Sequence, residues 1–450
     1  MDKRKSSYIF QKDSELIAPG QHLLYFPLVV DSVNGDTVID VDGKSYIDFL
    51  SSASSLNLGG AHPTISEAIK KQVEKCTQYC TCYSLNQPMV EYAERLASIY
   101  PGKIPSKILF TLCGSSAIDM AFNFAKAYTK RNEIISFKNS FHGNTYASSN
   151  ISDMDRGNFP ILKNIHIFSY FYEDDPDIKD NNYLAEIEEA FKNGLNPKDV
   201  AAVFIEPIQG DGGLRPAKKE FIRQLYLLCK KHGILFISDE VQQGFFRSGS
   251  WFSIEHYNVI PDGIVLGKSL GAGLPLGAFM ARSEIMESLN AELCASTIAG
   301  YQLACATGIA QFDYMCSKEF KNMLKNKIEL LSSLQKNLVS KSKMKGRIKI
   351  VGEGFSYGIQ IFDEEGNRDR LSAFKIAFRC YEKGLLLITV GGNTLRIQPP
   401  FSISIEHLNK GFQLLEDAIC DVNSGYVTDE MLYFYKRRYP EIKDYIKENK

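Results

Sequence analysis

The chain contains the stretch Asp262-Gly-Ile-Val-Leu-Gly-Lys-Ser-Leu-Gly-Ala-Gly-Leu-Pro-Leu-Gly277, in which a short apolar run ends in Lys268 and opens into a glycine-rich loop. A second apolar run upstream, Ile234-Leu-Phe-Ile-Ser-Asp239, ends in an acid. Short apolar runs are typical of buried strands in a parallel sheet, and ligands bind at the carboxyl ends of such strands. We therefore expect Lys268 and Asp239 to face one crevice.

The two residues together indicate a particular chemistry. A lysine surrounded by apolar residues and glycines loses its proton more easily than a solvated one and can then condense with an aldehyde. A carboxylate on a neighbouring strand can keep a pyridine nitrogen protonated, so that the ring draws electrons from a bound amine. Lys268 and Asp239 therefore predict pyridoxal 5'-phosphate (PLP) as cofactor, although either residue alone would more simply close a turn or cap a helix.

Strand-like and helical segments alternate through the first two thirds of the chain. An alternating hairpin pattern covers residues 37–50, helical patterns cover 62–80 and 88–99, and apolar strands follow at 107–110, 133–137, 200–206, 233–239 and 263–266. This order predicts an α/β fold with a mostly parallel sheet and helices on both of its faces.

The order of predicted helices and strands changes beyond residue 311. A long polar helix is predicted at 318–341, helices at 370–383 and 405–423, strands at 348–351, 356–361, 385–390 and 394–398, and a charged surface helix in the tail 426–450. We expect a large domain over 61–315 and a smaller α+β domain formed by 316–450 together with the N-terminal segment 1–60.

The composition is that of a globular enzyme. Of the 450 residues 44% are apolar, and the 52 basic residues nearly cancel the 53 acidic ones, so no global charge favours nucleic acid or a membrane surface. No long apolar stretch follows the charged start, and we expect a cytoplasmic protein. The ten cysteines are expected to be reduced, and the cluster Cys76, Cys80 and Cys82 lacks the further ligand pair that a zinc site needs, so no metal is expected.

Two further motifs supply residues for a cofactor. In Phe110-Thr-Leu-Cys-Gly-Ser-Ser-Ala-Ile-Asp119 a strand leads into a helix, and Gly114 and Ser115 are candidates for binding phosphate through free backbone amides, although such a motif is also a common helix start. In Ser140-Phe-His-Gly-Asn-Thr145, Phe141 could stack on a flat ring. His142 is assigned to the cofactor wall, and a core histidine is an equally good interpretation.

The remaining candidates follow other strands. In Phe204-Ile-Glu-Pro-Ile-Gln-Gly-Asp-Gly-Gly213, Glu206 is expected to bind a basic group or backbone amides, and Asp211 to project into the crevice. Gln242 lies one turn after Asp239 and could bind a phenolic oxygen of the cofactor. Arg396, in the apolar run Thr394-Leu-Arg-Ile-Gln-Pro-Pro-Phe401, needs an anion, either a substrate carboxylate or an internal acid.

From about Pro27 to Ala418 the chain resembles the class-III aminotransferases, which are fold-type-I PLP enzymes. The most specific matches are Asp-Glu-Val-Gln-Gln-Gly at 239–244 and Gly-Lys-Ser-Leu at 267–270. The resemblance implies that Lys268 binds PLP covalently, that Asp239 contacts the ring nitrogen and Gln242 the ring oxygen, and that Arg396 binds the α-carboxylate of an amino acid. It also implies a homodimer, or a dimer of dimers, in which Thr297 reaches the phosphate of the other subunit.

Within this family the chain is most similar to the isoleucine 2-epimerase branch of amino-acid racemases. The 4-aminobutyrate transaminases have a second arginine where this chain has Asn144, and a glutamate where it has Asp211. A neutral, aliphatic amino acid is therefore the expected substrate, with Lys268 removing the α-proton and Asp211 returning or positioning a proton on the opposite face. Transfer of the amino group to a 2-oxo acid is the alternative, and a non-catalytic relative is a distant one.

The chain departs from the family pattern at several positions. Ser116 replaces an acid, Tyr301-Gln302 replaces Asn-Pro, Phe246 replaces a glycine before Arg247, and Leu112 replaces a polar residue near the phosphate loop. These changes predict a narrower pocket, an altered phosphate site or a divergent specificity.

Overall fold

The computed structural model describes residues 5–154, 161–178, 181–342, 344 and 346–432. Its strands are β1 (Val30–Asn34), β2 (Thr37–Asp40), β3 (Ser45–Asp48), β4 (Ser106–Thr111), β5 (Glu133–Phe137), β6 (Ile165–Phe168), β7 (Val200–Ile205), β8 (Ile208–Gln209), β9 (Arg215–Pro216), β10 (Leu235–Asp239), β11 (Gly263–Leu266), β12 (Gly277–Arg282), β13 (Ile348–Glu353), β14 (Ser356–Ile361), β15 (Leu385–Leu386), β16 (Thr389–Val390) and β17 (Thr394–Ile397).

The helices of the same ranges are α1 (Lys5–Leu16), α2 (Ser51–Ser54), α3 (Pro63–Val73), α4 (Gln87–Ser98), α5 (Gly114–Thr129), α6 (Tyr146–Ile151), α7 (Ala185–Lys192), α8 (Lys219–His232), α9 (Ser283–Met286), α10 (Ala291–Cys294), α11 (Gln302–Cys316), α12 (Lys318–Lys341), α13 (Arg370–Lys383) and α14 (Ile405–Asn423). The short α2 is a left-handed turn, since φ is positive at each of its residues.

A seven-stranded sheet forms the centre of the large unit, in the order β4-β12-β11-β10-β7-β5-β6. The pairs β11–β10, β10–β7, β7–β5 and β5–β6 are parallel, whereas β12 is antiparallel to both of its neighbours. Because β12 reverses the direction twice, β4 runs parallel to the others. The carboxyl ends of six strands therefore meet at one edge of the sheet.

Helices cover both faces of this sheet, as the sequence predicts. Along β7, Ala202 and Phe204 belong to the buried cluster that contains α5. The intervening Val203 and Ile205 belong to the larger cluster that contains Phe221 of α8. Successive side chains of a strand point to opposite faces, so both faces of the sheet are buried.

One smaller sheet joins the N-terminal hairpin to a strand of the C-terminal part. β15 pairs in parallel with β3, so the N-terminal hairpin and the C-terminal part share one sheet. β13, β14, β17 and β16 form a second, antiparallel sheet. Fully buried Arg247 ties these parts together, donating to the hydroxyl of Ser51 at 2.7 Å, to Oδ1 of Asn57 at 2.9 Å and to the carbonyl of Pro399 at 2.6 Å.

Several predicted boundaries were wrong. The helix predicted at 62–80 ends at Val73, before the polar segment that contains the cysteines. The predicted strand at 385–390 is two short strands, β15 and β16, which pair with different sheets. β12 was missed because it follows the glycine-rich loop directly. Of the predicted tail helix, residues 433–450 lie outside the described ranges. No helix within those ranges has the length and apolar character needed to cross a membrane.

Candidate active site

One cavity of about 350 Å³ lies at the carboxyl edge of the large sheet. Its lining includes every predicted cofactor and catalytic residue except Thr297: Gly114, Ser115, Phe141, His142, Asp211, Asp239, Gln242 and Lys268. They come from the segments after β4, β5, β8, β10 and β11, which explains why residues far apart in sequence share one crevice.

Lys268 is placed by a close contact between two loops. It follows β11 and Gly267, and a Cβ added to Gly267 would lie 2.9 Å from the Cα of Gly114 at the start of α5. The φ of Lys268 is +44°, an uncommon value for a residue other than glycine and one that is often found at functional sites. Burial is the largest influence on the pKa of Lys268 and lowers it, although nearby Asp211 acts in the opposite direction. The amine therefore loses its proton more easily than a solvated lysine does.

His142 forms a hydrogen bond with Asp239. Oδ2 of Asp239 lies 2.7 Å from Nδ1 of His142, and the two side chains are 4% and 0% exposed. Oδ1 of the same carboxylate accepts a hydrogen bond from the backbone N–H of Val241 at 3.0 Å. Burial opposes the charged form of His142, but the hydrogen bond and charge of Asp239 outweigh it and raise the pKa of the histidine. His142 is thus bound to a carboxylate and fixes its orientation.

Glu206 binds the backbone of Phe141, whose ring the sequence analysis assigned to stacking on the cofactor. Its carboxylate accepts hydrogen bonds from the N–H of Phe141 at 3.0 Å and from the N–H of Gly210 at 2.9 Å. Burial raises the pKa of Glu206 to about 7. Of the two partners expected from the sequence, backbone amides are the ones observed.

The start of α5 forms one wall of the cavity. The first helical bond runs from the N–H of Ala117 to the carbonyl of Cys113 at 3.0 Å, so the amides of Gly114 and Ser115 precede it and have no partner within the helix. A Cβ at Gly114 would overlap the side chain of Val241, at 2.7 Å. The hydroxyl of Ser115 accepts from the N–H of Asn144 at 3.2 Å and so fixes the loop after β5.

Arg396 lies just behind the cavity, on β17. It is 2% exposed, its Nη2 donates to Oδ1 of Asp211, and its Nε has no hydrogen-bond partner among the described residues. A tight contact positions this pair: the N–H of Gly391 donates to the carbonyl of Asp211 at 2.8 Å. Arg396 therefore retains an unused donor in a buried place.

The electrostatic state of Asp211 depends on these neighbours. Burial is the largest influence and opposes ionisation, but the charges of Arg396 and Lys268, with hydrogen bonds from Arg396 and Gln242, lower the pKa of Asp211 overall. Gln242 lies within the cavity wall and is 7% exposed. The lowered pKa favours the ionised form of Asp211, which accepts a hydrogen bond from Arg396.

Thr297 lies on the surface, outside the lining of this cavity. It is exposed, and its carbonyl accepts hydrogen bonds from the N–H of Thr81 and from Nε2 of Gln78, both at 3.1 Å. Its role at a partner subunit stays a prediction.

The departures from the family pattern have different locations. Leu112 is 36% exposed and lines the cavity. Ser116 caps α5, since its hydroxyl accepts from the N–H of Cys113 at 3.2 Å. Phe246, at φ +66°, and Tyr301, at the start of α11, lie outside the lining.

Sequence reasoning also missed part of the wall. Leu274, Pro275 and Leu276, in the glycine-rich loop after Lys268, also line the cavity. Val241 also lines it, and its apolar side chain between two polar neighbours was the available signal.

The profile of the family "Aminotransferase class-III" matches residues 18–419. The chain belongs to this family. It is 35% identical to an isoleucine 2-epimerase of Lentilactobacillus buchneri, covering 94% of this chain and 97% of that protein. It is also 35% identical to a leucine/methionine racemase of Thermococcus litoralis, with 95% and 98% covered.

Among solved structures, an ornithine aminotransferase of Toxoplasma gondii with PLP partially occupying its active site superposes with a TM-score of 0.81. It is 25% identical, and 94% of this chain and 96% of that chain are covered. The predicted family and the predicted α/β fold of type-I PLP enzymes are thereby confirmed. The similar proteins include epimerases, racemases and aminotransferases, so both predicted activities fit the family.

Proposed function

We propose that this protein is a PLP-dependent 2-epimerase or racemase that inverts the α-carbon of a neutral, aliphatic amino acid. The observation that carries this proposal is the placement of Lys268 and Asp211 in one cavity, with Asp211 paired to buried Arg396. Inversion needs two groups that handle protons and one that holds the substrate carboxylate, and this set contains all three.

The cavity suits PLP by its shape and its donors. Side chains at positions 114 and 267 would fill the space around the start of α5. Because both residues are glycines, the backbone amides at the start of this helix stay accessible to a phosphate. Phe141 would face the ring, and Asp239, oriented by His142, would hold the ring nitrogen. We further propose that Gln242 binds the ring oxygen, that Lys268 binds the aldehyde carbon, and that Thr297 of a second subunit completes the phosphate site of a homodimer.

When bound there, PLP would withdraw electrons from the α-carbon of an attached amino acid and so make its α-proton acidic. Lys268 would remove that proton from one face. Its lowered pKa favours the neutral amine that this step requires.

Asp211 would act on the other face, and binding of the substrate would raise the pKa of its carboxyl group. The α-carboxylate of an amino acid would bind Arg396, whose Nε is available, and would compete with Asp211 for the guanidinium. Without that counter-charge, the burial of Asp211 would dominate and raise the pKa of its carboxyl. Asp211 would then exchange a proton with the substrate much more readily.

Amino transfer is the second candidate. It would use the same Lys268, Asp239 and Arg396, and the similar ornithine aminotransferase favours it. It differs in needing no second proton-handling group, so Asp211 separates the two candidates.

The test is to incubate purified holoenzyme in deuterated water with L-isoleucine, L-leucine or L-valine and no 2-oxo acid. We expect stereoinversion with deuterium at the α-carbon, measured by chiral chromatography and mass spectrometry. Asp211→Asn should lose inversion by ~100-fold or more while it still exchanges the α-proton on the lysine side. Asp31→Asn, at an exposed position of β1, is the matched control and should behave like the parent.

Two results would contradict the proposal. Amino transfer after addition of 2-oxoglutarate, without any inversion, would establish a transaminase. Inversion by Asp211→Asn at the parent rate would remove Asp211 from the mechanism.

A further inference from the structure

A second cavity, of about 480 Å³, adjoins the first one. The two share Phe141 and Asp211 in their linings, so the second opens beside the residues assigned to the cofactor and the substrate. Burial raises the pKa of Tyr25 in this second wall, and the charges of Arg396, Asp211 and Arg370 act on it as well.

Most of the second lining is apolar. Leu23 and Tyr25 come from the segment before β1, Phe374 from α13, and Val390 from β16. These walls come from both ends of the chain, and they suit the hydrocarbon part of an amino-acid side chain.

One side chain of this wall is cationic. Arg370 is the first residue of α13, where the helix dipole disfavours a positive charge. Its Nε is buried and has no hydrogen-bond partner, and its guanidinium lies 5.4 Å from the ring centre of Phe374. Within the described ranges no carboxylate is paired with it, whereas Arg379, nine residues further along the same helix, is paired with two. Arg370 as a whole is half-buried, but its buried Nε is a donor that an oxygen of a bound ligand would satisfy.

We propose that this cavity selects the substrate: an amino acid whose side chain has an apolar stem and ends in a carbonyl or carboxylate oxygen that accepts a hydrogen bond from Arg370. The inference rests on the proposed chemistry at the α-carbon and replaces its aliphatic substrate with an amino acid whose side chain ends in an oxygen acceptor. Asn144 replaces the second arginine of related transaminases, and Arg370 places a guanidinium on a different wall.

The experiment measures α-deuterium exchange, which accompanies both inversion and transfer. Holoenzyme is compared on L-glutamine, on L-glutamate and on L-homoleucine, the hydrocarbon of the same shape as glutamine. We expect kcat/KM to favour an oxygen-ended substrate by ~10- to 100-fold, because a site built around a donor rejects the analogue without an acceptor. Glutamine and glutamate together show whether the acceptor is neutral or charged.

Arg370→Met should abolish this preference mainly through KM, and Arg370→Lys should restore part of it. Arg368→Met, at an exposed position two residues earlier, is the matched control and should leave the preference unchanged. As a second probe, Val390→Phe should fill the cavity and lower kcat/KM by a larger factor for long substrates than for alanine. Substrate-induced shifts in the thermal midpoint of the holoenzyme give a readout independent of turnover, and glutamine should lose its shift in Arg370→Met.

Equal exchange of glutamine and homoleucine by the parent enzyme and by Arg370→Met would overturn this inference while leaving the proposed function intact. Absence of exchange with every amino acid, alanine included, would instead overturn the proposed function.

Discussion

Replacing His142 by glutamine removes the hydrogen bond that orients Asp239. The bond is 2.7 Å long and both side chains are almost completely buried. A hydrogen bond to a charged group contributes about 1.5–3 kcal/mol, and we expect the variant to lose that amount of stability. If the orientation of Asp239 is needed for PLP, the same loss corresponds to about 10- to 150-fold weaker cofactor binding.

The loss of stability should depend on pH. The pKa of His142 is raised in the folded protein above the value of ~6.5 that a histidine has in the unfolded chain. The folded protein therefore binds this proton more tightly than the unfolded chain does. The stabilisation is fully present below that unfolded value and is lost as the pH rises through the folded value. The difference in unfolding free energy between the parent and His142→Gln should therefore be larger at pH 6 than at pH 9.

A surface pair provides the matched control. Nε2 of His166 also lies 2.7 Å from a carboxylate oxygen, that of Glu133, but the two side chains are 30% and 27% exposed. Solvent screens such a pair, so His166→Gln should cost less than ~1 kcal/mol and leave PLP binding unchanged. Urea unfolding and fluorescence titration of the apoenzyme with PLP measure the two quantities. Equal losses for the two variants would refute the reasoning, since burial would then have no influence.

Three further outcomes are expected. Phe246→Gly should destabilise the protein by about 2–3 kcal/mol in urea unfolding, because the ring's lost packing exceeds the relief of its positive φ. Gly277→Ala should weaken PLP binding by ~10-fold or more in equilibrium dialysis, because the added methyl group would overlap the carbonyl of Cys113, directly before α5. Gly20→Ala, where the methyl group would meet no atom within 4 Å, should leave PLP binding unchanged. Arg396→Met should destabilise by about 1–3 kcal/mol in urea unfolding by removing the guanidinium partner of Asp211, whose side chain is 27% exposed, and adding Asp211→Asn should recover part of the loss in a double-mutant cycle.

Much of the sheet was predictable because its strands are buried on both faces. β7 and β11 are continuous apolar runs and β5 and β10 are mostly apolar, and that pattern predicted the strands. Glu206 directly after β7 and Asp239 at the end of β10 predicted the crevice. β12 has equally buried residues, but only a one-turn 3-10 helix, Lys268–Gly271, and no α-helix separates it from β11, so it did not fit the alternation expected of a parallel sheet.

The site was predictable where one residue's chemistry identifies it, as with Lys268 and Asp239. Pairings between distant segments were not. Arg396 could be assigned an anion, but its pairing with Asp211 depends on the close approach of two glycine-rich loops. Arg370 stands next to exposed polar residues in sequence, and only the fold brings it into one cavity lining with Tyr25 of the N-terminal segment.

The pairing of Arg396 with Asp211 also bears on why the proposed inversion would be confined to amino acids. An amine without a carboxylate would leave Arg396 bound to Asp211, and the pKa of Asp211 would stay low. Only Lys268 could then move a proton, and an exchange confined to one face restores the original configuration. A carboxylate on the α-carbon would both anchor the substrate and release the second proton-handling group. We infer that recognition of the substrate and its inversion are coupled through this one ion pair.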